Sequence, residues 1–226
     1  MRLEGRTALR RLALSIGAAL ALGAPLLANA ASFDCKKAST KVERLICEDR
    51  ALSEMDDDLG DIYPVEDDVP ANDPVRIAQR SWLARRNACT TADCLTQQYE
   101  LRLSQLFCDE RIASRSLGSG IGAGKCQYMR VAVLKRELAP LVQRHAAMDI
   151  ENTTSPDYTR EVGLKVHRTW YEHMQARCEL HGAQEGGTSA WQSAWAGGCM
   201  VDEIKQRIAW LHKELGDTAP AGKARR

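Results

Sequence analysis

Ser32-Phe33-Asp34-Cys35-Lys36-Lys37-Ala38-Ser39-Thr40-Lys41-Val42-Glu43-Arg44-Leu45-Ile46-Cys47 begins and ends close to a cysteine. Between the two cysteines, Thr40 and Glu43 stand at capping-box spacing, where each side chain satisfies an orphan amide at a helix start. Leu52, Met55, Leu59 and Ile62 then recur at helical intervals and stop near Pro64. Asp73-Pro74 reads as an N-cap followed by proline at the first helical position. The helix it opens carries Val75, Ala78, Trp82 and Cys89 on one stripe. A fourth helix, capped near Thr91, presents Leu95, Tyr99, Leu103 and Leu106. The fold class is all-α.

Upstream of this stretch, Arg2, Arg6, Arg10 and Arg11 precede an apolar run from Leu12 to Leu27 and then Ala28-Asn29-Ala30-Ala31. A basic start, a greasy middle and an A-x-A end describe a secretory signal peptide. Gly23 and Pro25 interrupt the run, which is too short for a membrane span of about 20 residues. Cleavage is expected after Ala30 or Ala31, leaving no membrane span. Arg10-Arg11 lacks the rest of a twin-arginine motif, and no cysteine stands at the cleavage point, so neither that export route nor lipid anchoring there is expected. The 226-residue chain has a formal net charge of +1. Without residues 1–30 it holds 27 basic and 29 acidic residues. That balance argues against a general nucleic-acid binder, and a mean hydropathy of −0.37 suits a globular body with an apolar core.

All eight cysteines follow the leader: Cys35, Cys47, Cys89, Cys94, Cys108, Cys126, Cys178 and Cys199. An even count in an exported chain reads as four disulfides. A metal site would call for tight C-x2-C pairs or H-E-x-x-H, and neither occurs. No metal and no cofactor is expected.

Residues 110–125 turn to serine and glycine and read as a linker. Gly118–Lys125 is not a phosphate loop, because Ser119 and Cys126 stand where that motif needs glycine and a hydroxyl residue. Beyond it, Val131, Leu134, Leu138, Leu141, His145 and Met148 follow one helical stripe, with Pro140 as an expected kink. Ser155-Pro156 opens a helix bearing Tyr158, Val162, Val166 and Trp170. A glycine-rich loop is expected at Gly182–Gly187, then a last helix with Val201, Ile204, Ile208, Leu211 and Leu215. The expected organisation is a signal over 1–30, a helical module over 32–109, the linker over 110–125, a second module over 126–215 and a disordered tail over 216–226. Each module would hold three to four helices.

The opening stretch fits F-x-C-x-x-A-x-[ST]-x-x-E-x-x-I-C, and Gln79–Cys89, Cys94-Leu95 and Tyr99-Glu100-x-Arg102 follow it. On these residues the segment 32–106 resembles the lysozyme-inhibitor LprI-like family. The second half resembles the same family more loosely, as a diverged copy: Trp170 to Cys178, then Glu185-Gly186-Gly187-Thr188 and Cys199, fit a variant spacing. It departs at Met174, where a match to Arg86 would stand, and it lacks the opening cysteine pair. The resemblance implies Cys35–Cys47, Cys89–Cys94 and Cys178–Cys199, which leaves Cys108 and Cys126. It marks Trp82, Arg86, Trp170, Glu185, Gly186 and Gly187 as motif residues, and implies a non-catalytic binding protein in the periplasm or outside the cell.

No G-x-S-x-G, zinc motif or cofactor loop suggests catalysis, and the chain is not expected to be an enzyme. His167 and His173 share one helix and read as polar residues flanking a core stripe. Between Ala51 and Val75 there are nine acidic residues and no lysine or arginine. Asp56, Asp57, Asp58, Asp61, Glu66, Asp67 and Asp68 form the candidate binding patch within this stretch, suited to steering a basic partner such as lysozyme. Asp56-Asp57-Asp58 lacks the spacing of a calcium loop. The patch also reads as a solvated helix face, Trp82 with Arg86 as core packing, and Glu185–Thr188 as a plain connection. The alternative function is an envelope interaction or stress module without inhibitory activity.

Overall fold

The computed structural model describes residues 31–63, 70, 72–109, 118–148, 150 and 153–217. Residues 1–30, most of the acidic segment after Tyr63, and residues 110–117 lie outside the described residues. A short 3-10 turn, Cys35–Lys37, leads into α1 (Lys41–Glu48), α2 (Arg50–Ile62), α3 (Pro74–Asn87) and α4 (Ala92–Phe107). Three longer helices follow: α5 (Gly120–Ala146), α6 (Pro156–Glu185) and α7 (Ser189–Glu214). Among the described residues there is no strand.

Local chemistry starts these helices. Thr40 and Glu43 exchange both capping-box bonds, at 3.1 and 2.8 Å. Asp73 accepts from the Val75 amide at 2.7 Å, with Pro74 in the first turn, and Thr91 accepts from the Cys94 amide at 3.3 Å. Each cap answers an amide that has no intrahelical acceptor.

Two apolar clusters form. The first gathers Val42, Ile46, Leu52, Leu59, Trp82, Leu95, Tyr99, Leu103, Leu106 and Phe107 from α1 to α4, and adds Cys126 and Met129 from α5. The second gathers Leu138, Leu141, Met174, Cys178, Ile204, Ile208 and Leu211 from α5, α6 and α7. Helix α5 therefore belongs to both. Its first turns close the first core and its later turns open the second. Arg136 on α5 reinforces the join, bonding Glu100 at 2.5 Å and Asp93 at 2.7 Å on α4.

Four disulfides cross-link the chain: Cys35–Cys47, Cys89–Cys94, Cys108–Cys126 and Cys178–Cys199. They are the pairs the resemblance implies, with the remaining two cysteines joined to each other. No cysteine is free.

The linker expectation needs correcting at its end. Gly120–Lys125 are helical, capped by the Ser119 hydroxyl, which accepts from the Gly122 amide at 3.1 Å. Glycine here serves close packing. A Cβ on Gly120 would lie 2.7 Å from the Trp191 amide nitrogen, and one on Gly197 would lie 2.7 Å from the Gln127 Cβ. The expected loop at Gly182–Gly187 shrinks for the same reason. Helix α6 runs to Glu185, and a Cβ on Gly182 would stand 2.3 Å from the Gln192 carbonyl oxygen. Only Gly186 and Gly187, both at positive φ, and Thr188 turn the chain into α7.

Two further expectations are corrected. On α6, Tyr158 and Val166 are 68 % and 55 % exposed and Val162 is also exposed. The face turned inward instead carries His167, Met174, Cys178 and Gly182. At the other end, Gly216 and Asp217 are not loose. Gly216 takes φ +67°, and the amides of Gly216 and Asp217 bond the carbonyls of Lys213 and His212 as a Schellman cap. Arg144 then holds Asp217 with two bonds of 2.7 and 2.8 Å. Residues 218–226 lie outside the described residues.

The Gly182 contact yields a test. Gly182→Ala is expected to cost about 1–3 kcal/mol, the range for overpacking a closed contact, because the new methyl meets backbone and not a movable side-chain tip. Gly198→Ala, with open space at that Cβ position, is the control and should leave the thermal midpoint unchanged or raised. Equal midpoints for the two variants would contradict the close approach of α6 and α7.

Candidate functional site

The three aspartates at 56–58 go to three environments. Asp56 is 3 % exposed and is not a surface acid. One of its oxygens accepts the Ser32 amide at 3.0 Å and the Ser32 hydroxyl at 2.5 Å, and the other accepts the Tyr99 hydroxyl at 2.6 Å. Arg86 Nη1 stands 4.0 Å from that second oxygen and 3.5 Å from the Tyr99 oxygen. Burial first, and then the Asp56 charge, push the Tyr99 phenol far above its ordinary range, so it remains a donor. Three donors and a guanidinium make burial of this carboxylate tenable, and they withdraw Asp56 from the proposed patch.

Trp82 forms the floor of the network. Its ring meets Tyr99 edge-on at 5.3 Å, its indole N–H donates to the Gln98 carbonyl at 2.9 Å, and Arg86 lies over it at 5.2 Å. Trp82 and Arg86 thus tie the start of the described chain to α2, α3 and α4. Arg102, also in the resembling segment, is buried and donates to Gln79, Gln105 and the Val75 carbonyl. Neutral acceptors hold it, while burial lowers its pKa.

Asp58 is partly buried and pairs with Lys125, whose ammonium also lies 5.2 Å from the Phe107 ring centre. Glu54 pairs with Arg50 at 2.8 Å. Asp57 and Asp61 are exposed on the outer face of α2. Glu66, Asp67 and Asp68 lie outside the described residues. The acidic surface that the structure describes is therefore narrower than the sequence suggests, and centres on Asp57 and Asp61.

The second half is built differently around its tryptophan. Trp170 is half-buried, Met174 is buried, and the guanidinium over Trp170 comes from Arg207 on α7, at 5.0 Å. Arg207 also lies 4.2 Å from the Trp210 ring centre. It donates to His167 Nδ1 at 3.0 Å, which leaves His167 Nε2 to donate to His145 Nδ1 at 3.1 Å. His167 is 4 % exposed, whereas His173 is exposed. Sequence spacing could not bring out this cluster, because its members come from three helices. Glu185 is exposed and faces His181 at 3.9 Å; Gly186 and Gly187 make the turn, and the Gly187 carbonyl accepts from Gln192 Nε2 at 3.2 Å.

Burial, then Arg207, then His145 hold the His167 pKa down to about 4, against an ordinary value of 6.5. As pH falls below 6.5 the unfolded chain takes up this proton before the folded chain does. Its contribution is therefore whole above pH 6.5 and is lost towards pH 4. The limiting slope for one proton is about 1.4 kcal/mol per pH unit. Glu43, held near 2 mainly by the Thr40 and Ser39 amides, and Asp217, held near 2 by Arg144, stay ionised in the folded chain here, and their own contributions fall away at lower pH, once the unfolded carboxylates take up protons below about pH 4.5. Melting temperature should drop between pH 7 and 4.5, and His167→Gln should flatten that drop. An unchanged pH dependence in the variant would rule out His167 as its source.

Among the described residues, no set of His, Cys, Asp or Glu side chains could hold a metal ion, and no helix is long and apolar enough to cross a membrane. The fold and its bridges define a class: an all-α protein of disulfide-stapled helical modules, as suits an extracytoplasmic setting. Within that class the similarity is to Lipoprotein LprI. The chain is 34 % identical over 79 residues to Lipoprotein LprI of Mycobacterium bovis, and equally to that of two strains of Mycobacterium tuberculosis. The match takes in 33 % of this chain and 40 % of each relative, so the chain spans well under half the length of the relatives it matches. The relationship is LprI-like over that segment. No family model matches the chain, and no solved structure matches it.

Proposed function

We propose that this protein is an exported, non-catalytic binding protein of the cell envelope that occludes a basic cell-wall muramidase. The observation that carries the reading is the LprI-like similarity over 79 residues, together with the resemblance of residues 32–106 to lysozyme-inhibitor-like sequences. Residues 1–30 would direct export and be removed, and the four bridges would form in the periplasm or beyond it. Cross-linked helices lose little freedom on docking, which lowers the entropic cost of association. The exposed carboxylates of Asp57 and Asp61 on α2 would steer a strongly basic partner. On this reading the sequence 32–109 forms the docking module and the later helices form a second module of related design.

Clearing of a cell-wall suspension by lysozyme tests the proposal. Excess oxidised protein is expected to slow clearing, less so at high salt. Asp57→Lys with Asp61→Lys is expected to weaken inhibition several-fold without altering the melt. A clearing rate unchanged by excess protein would overturn the reading for that enzyme, and recovery of other envelope proteins without lysozyme in a pull-down would favour an interaction module.

A further inference from the structure

Arg102 on α4 is 3 % exposed, so its charge is withdrawn from solvent, yet every acceptor it meets is neutral. Its Nε donates to Gln79 Oε1 at 2.8 Å, Nη1 to Gln105 Oε1 at 3.3 Å and Nη2 to the Val75 carbonyl at 3.3 Å. A guanidinium carries five N–H groups, and these bonds occupy three of them. Among the described residues, the ionisable side chains that act on it are the Tyr63 phenol and a second guanidinium, Arg85, and no carboxylate. An ionised group taken out of water without a countercharge is costly. The other buried ion of this half, Asp56, has three donors and Arg86 around it. Arg102 has no such opposite charge.

A cavity of about 630 Å³ lies against this group, bounded by the start of α3, the end of α4 and one turn of α5. Val75 and Gln105, which hold the two Nη atoms, both line it, so the head of Arg102 stands at its wall. Ser104 adds a hydroxyl, and Gln105 adds an amide NH2 whose oxygen is already taken by Arg102. Arg130 brings a second guanidinium from α5, exposed and without an ion pair among the described residues. Elsewhere on α5, Lys125, Arg136 and Arg144 each meet a carboxylate. Asp109, the acidic residue on the described walls, has interactions of its own. The other polar side chains converging on the cavity are donors, and two of them are cations. Its volume lies within the range of small-ligand sites, where a few placed polar groups fix the occupant.

We propose that this cavity binds the oxyanion of a small free molecule, its carboxylate or phosphate group set on the Arg102 guanidinium and Arg130 supplying a second positive charge. The planar fork of a guanidinium matches a group that presents two oxygens. A bound anion gives Arg102 the countercharge that its own neighbours do not. Neither Asp57 nor Asp61 lines the cavity, and the occupant is opposite in charge to a basic muramidase, so this assignment and the docking one can fail separately.

Succinate and phosphate are the probes, with succinamide as the neutral counterpart, all at one ionic strength set with sodium chloride. Backbone amide and arginine Nε–H magnetic resonance signals of the intact oxidised protein are the readout. At least one of the two anions should shift Val75, Gln105 and Arg102 Nε saturably and at least ten-fold more tightly than succinamide. The tighter of the two names the headgroup. Arg130→Gln, at an exposed position, should weaken the anion at least five-fold with an unchanged melt, whereas Lys135→Gln, also exposed on α5, should leave it unchanged. Arg102→Gln should abolish binding. Because that substitution touches the core, Ala78→Trp, which fills the cavity from α3, is the second block and should also abolish it. No saturable shift with either anion, succinamide binding as tightly, equal losses in Arg130→Gln and Lys135→Gln, binding intact in Ala78→Trp, or a response only to polyglutamate would overturn the assignment.

Discussion

Asp56→Ala is expected to destabilise the protein by about 3–5 kcal/mol, the cost of breaking a buried, hydrogen-bonded charge pair from one side. The substitution leaves the Ser32 amide and hydroxyl and the Tyr99 hydroxyl without their acceptor, and leaves Arg86 without its countercharge. It also opens space under Trp82 and Tyr99, both of which are fully buried. Asp56→Asn keeps the shape and one acceptor oxygen, so a smaller loss is expected. Tyr99→Phe removes one bond to a charged acceptor, worth about 1.5–3 kcal/mol. Chemical denaturation should show a lower midpoint at unchanged slope. In a double-mutant cycle, Asp56 and Tyr99 should couple strongly, because they share one bond. An Asp56→Ala protein within about 0.5 kcal/mol of the parent would refute the network as a structural centre.

Reduction of the four bridges is expected to have the larger effect. Sequence separations of 12, 5, 18 and 21 residues correspond, on the chain-entropy account, to roughly 2–3 kcal/mol each. Together they are comparable with the whole stability of an ordinary domain, about 5–15 kcal/mol. The reduced chain should lose its cooperative melt while keeping part of its helix signal. Single bridges should differ in where they act. Replacing Cys178 and Cys199 by serine loosens α6 from α7, whereas replacing Cys108 and Cys126 releases the start of α5 from the first core. Hydrogen exchange would separate the two cases, with protection lost in the second half for the former and across the α4–α5 join for the latter.

Much of this architecture is legible in the residues themselves. Thr40, Asp73 and Thr91 announce helix starts because a cap depends on atoms only two or three positions away. Leu95, Tyr99, Leu103 and Leu106 announce a buried face because their spacing follows the helix turn, and all four are buried. Local sequence is silent where the deciding partner is remote. Asp56 resembles its neighbours until Ser32, 24 residues before it, and Tyr99, 43 residues after it, are brought alongside. Gly120 and Gly182 resemble linker glycines, since composition does not distinguish a chain that needs freedom from a helix that must pass close to another. The stripe of Tyr158, Val162 and Val166 has helical spacing but faces out, because the inward face of α6 is set by Gly182 and Cys178 against α7. His145, His167 and Arg207 come together only through the packing of three helices, and Asp217 is fixed by an arginine 73 positions earlier.

The two halves solve a common problem by different means. Each sets a guanidinium over a tryptophan, Arg86 over Trp82 on the same helix and Arg207 over Trp170 from the facing helix. In the first half the guanidinium meets a carboxylate, and in the second it meets a histidine pair. The same aromatic anchor therefore stands beside a buried carboxylate in one place and beside a histidine pair in the other.

Calorimetric titration of a basic lysozyme into the purified, fully oxidised protein at low salt, repeated after reduction and thiol blocking, bears most directly on the whole account. Saturable binding by the oxidised form, weakened by added salt and lost in the blocked form, is the predicted result. An oxidised protein that gives no saturable heat, or a blocked chain that binds just as tightly, would contradict it.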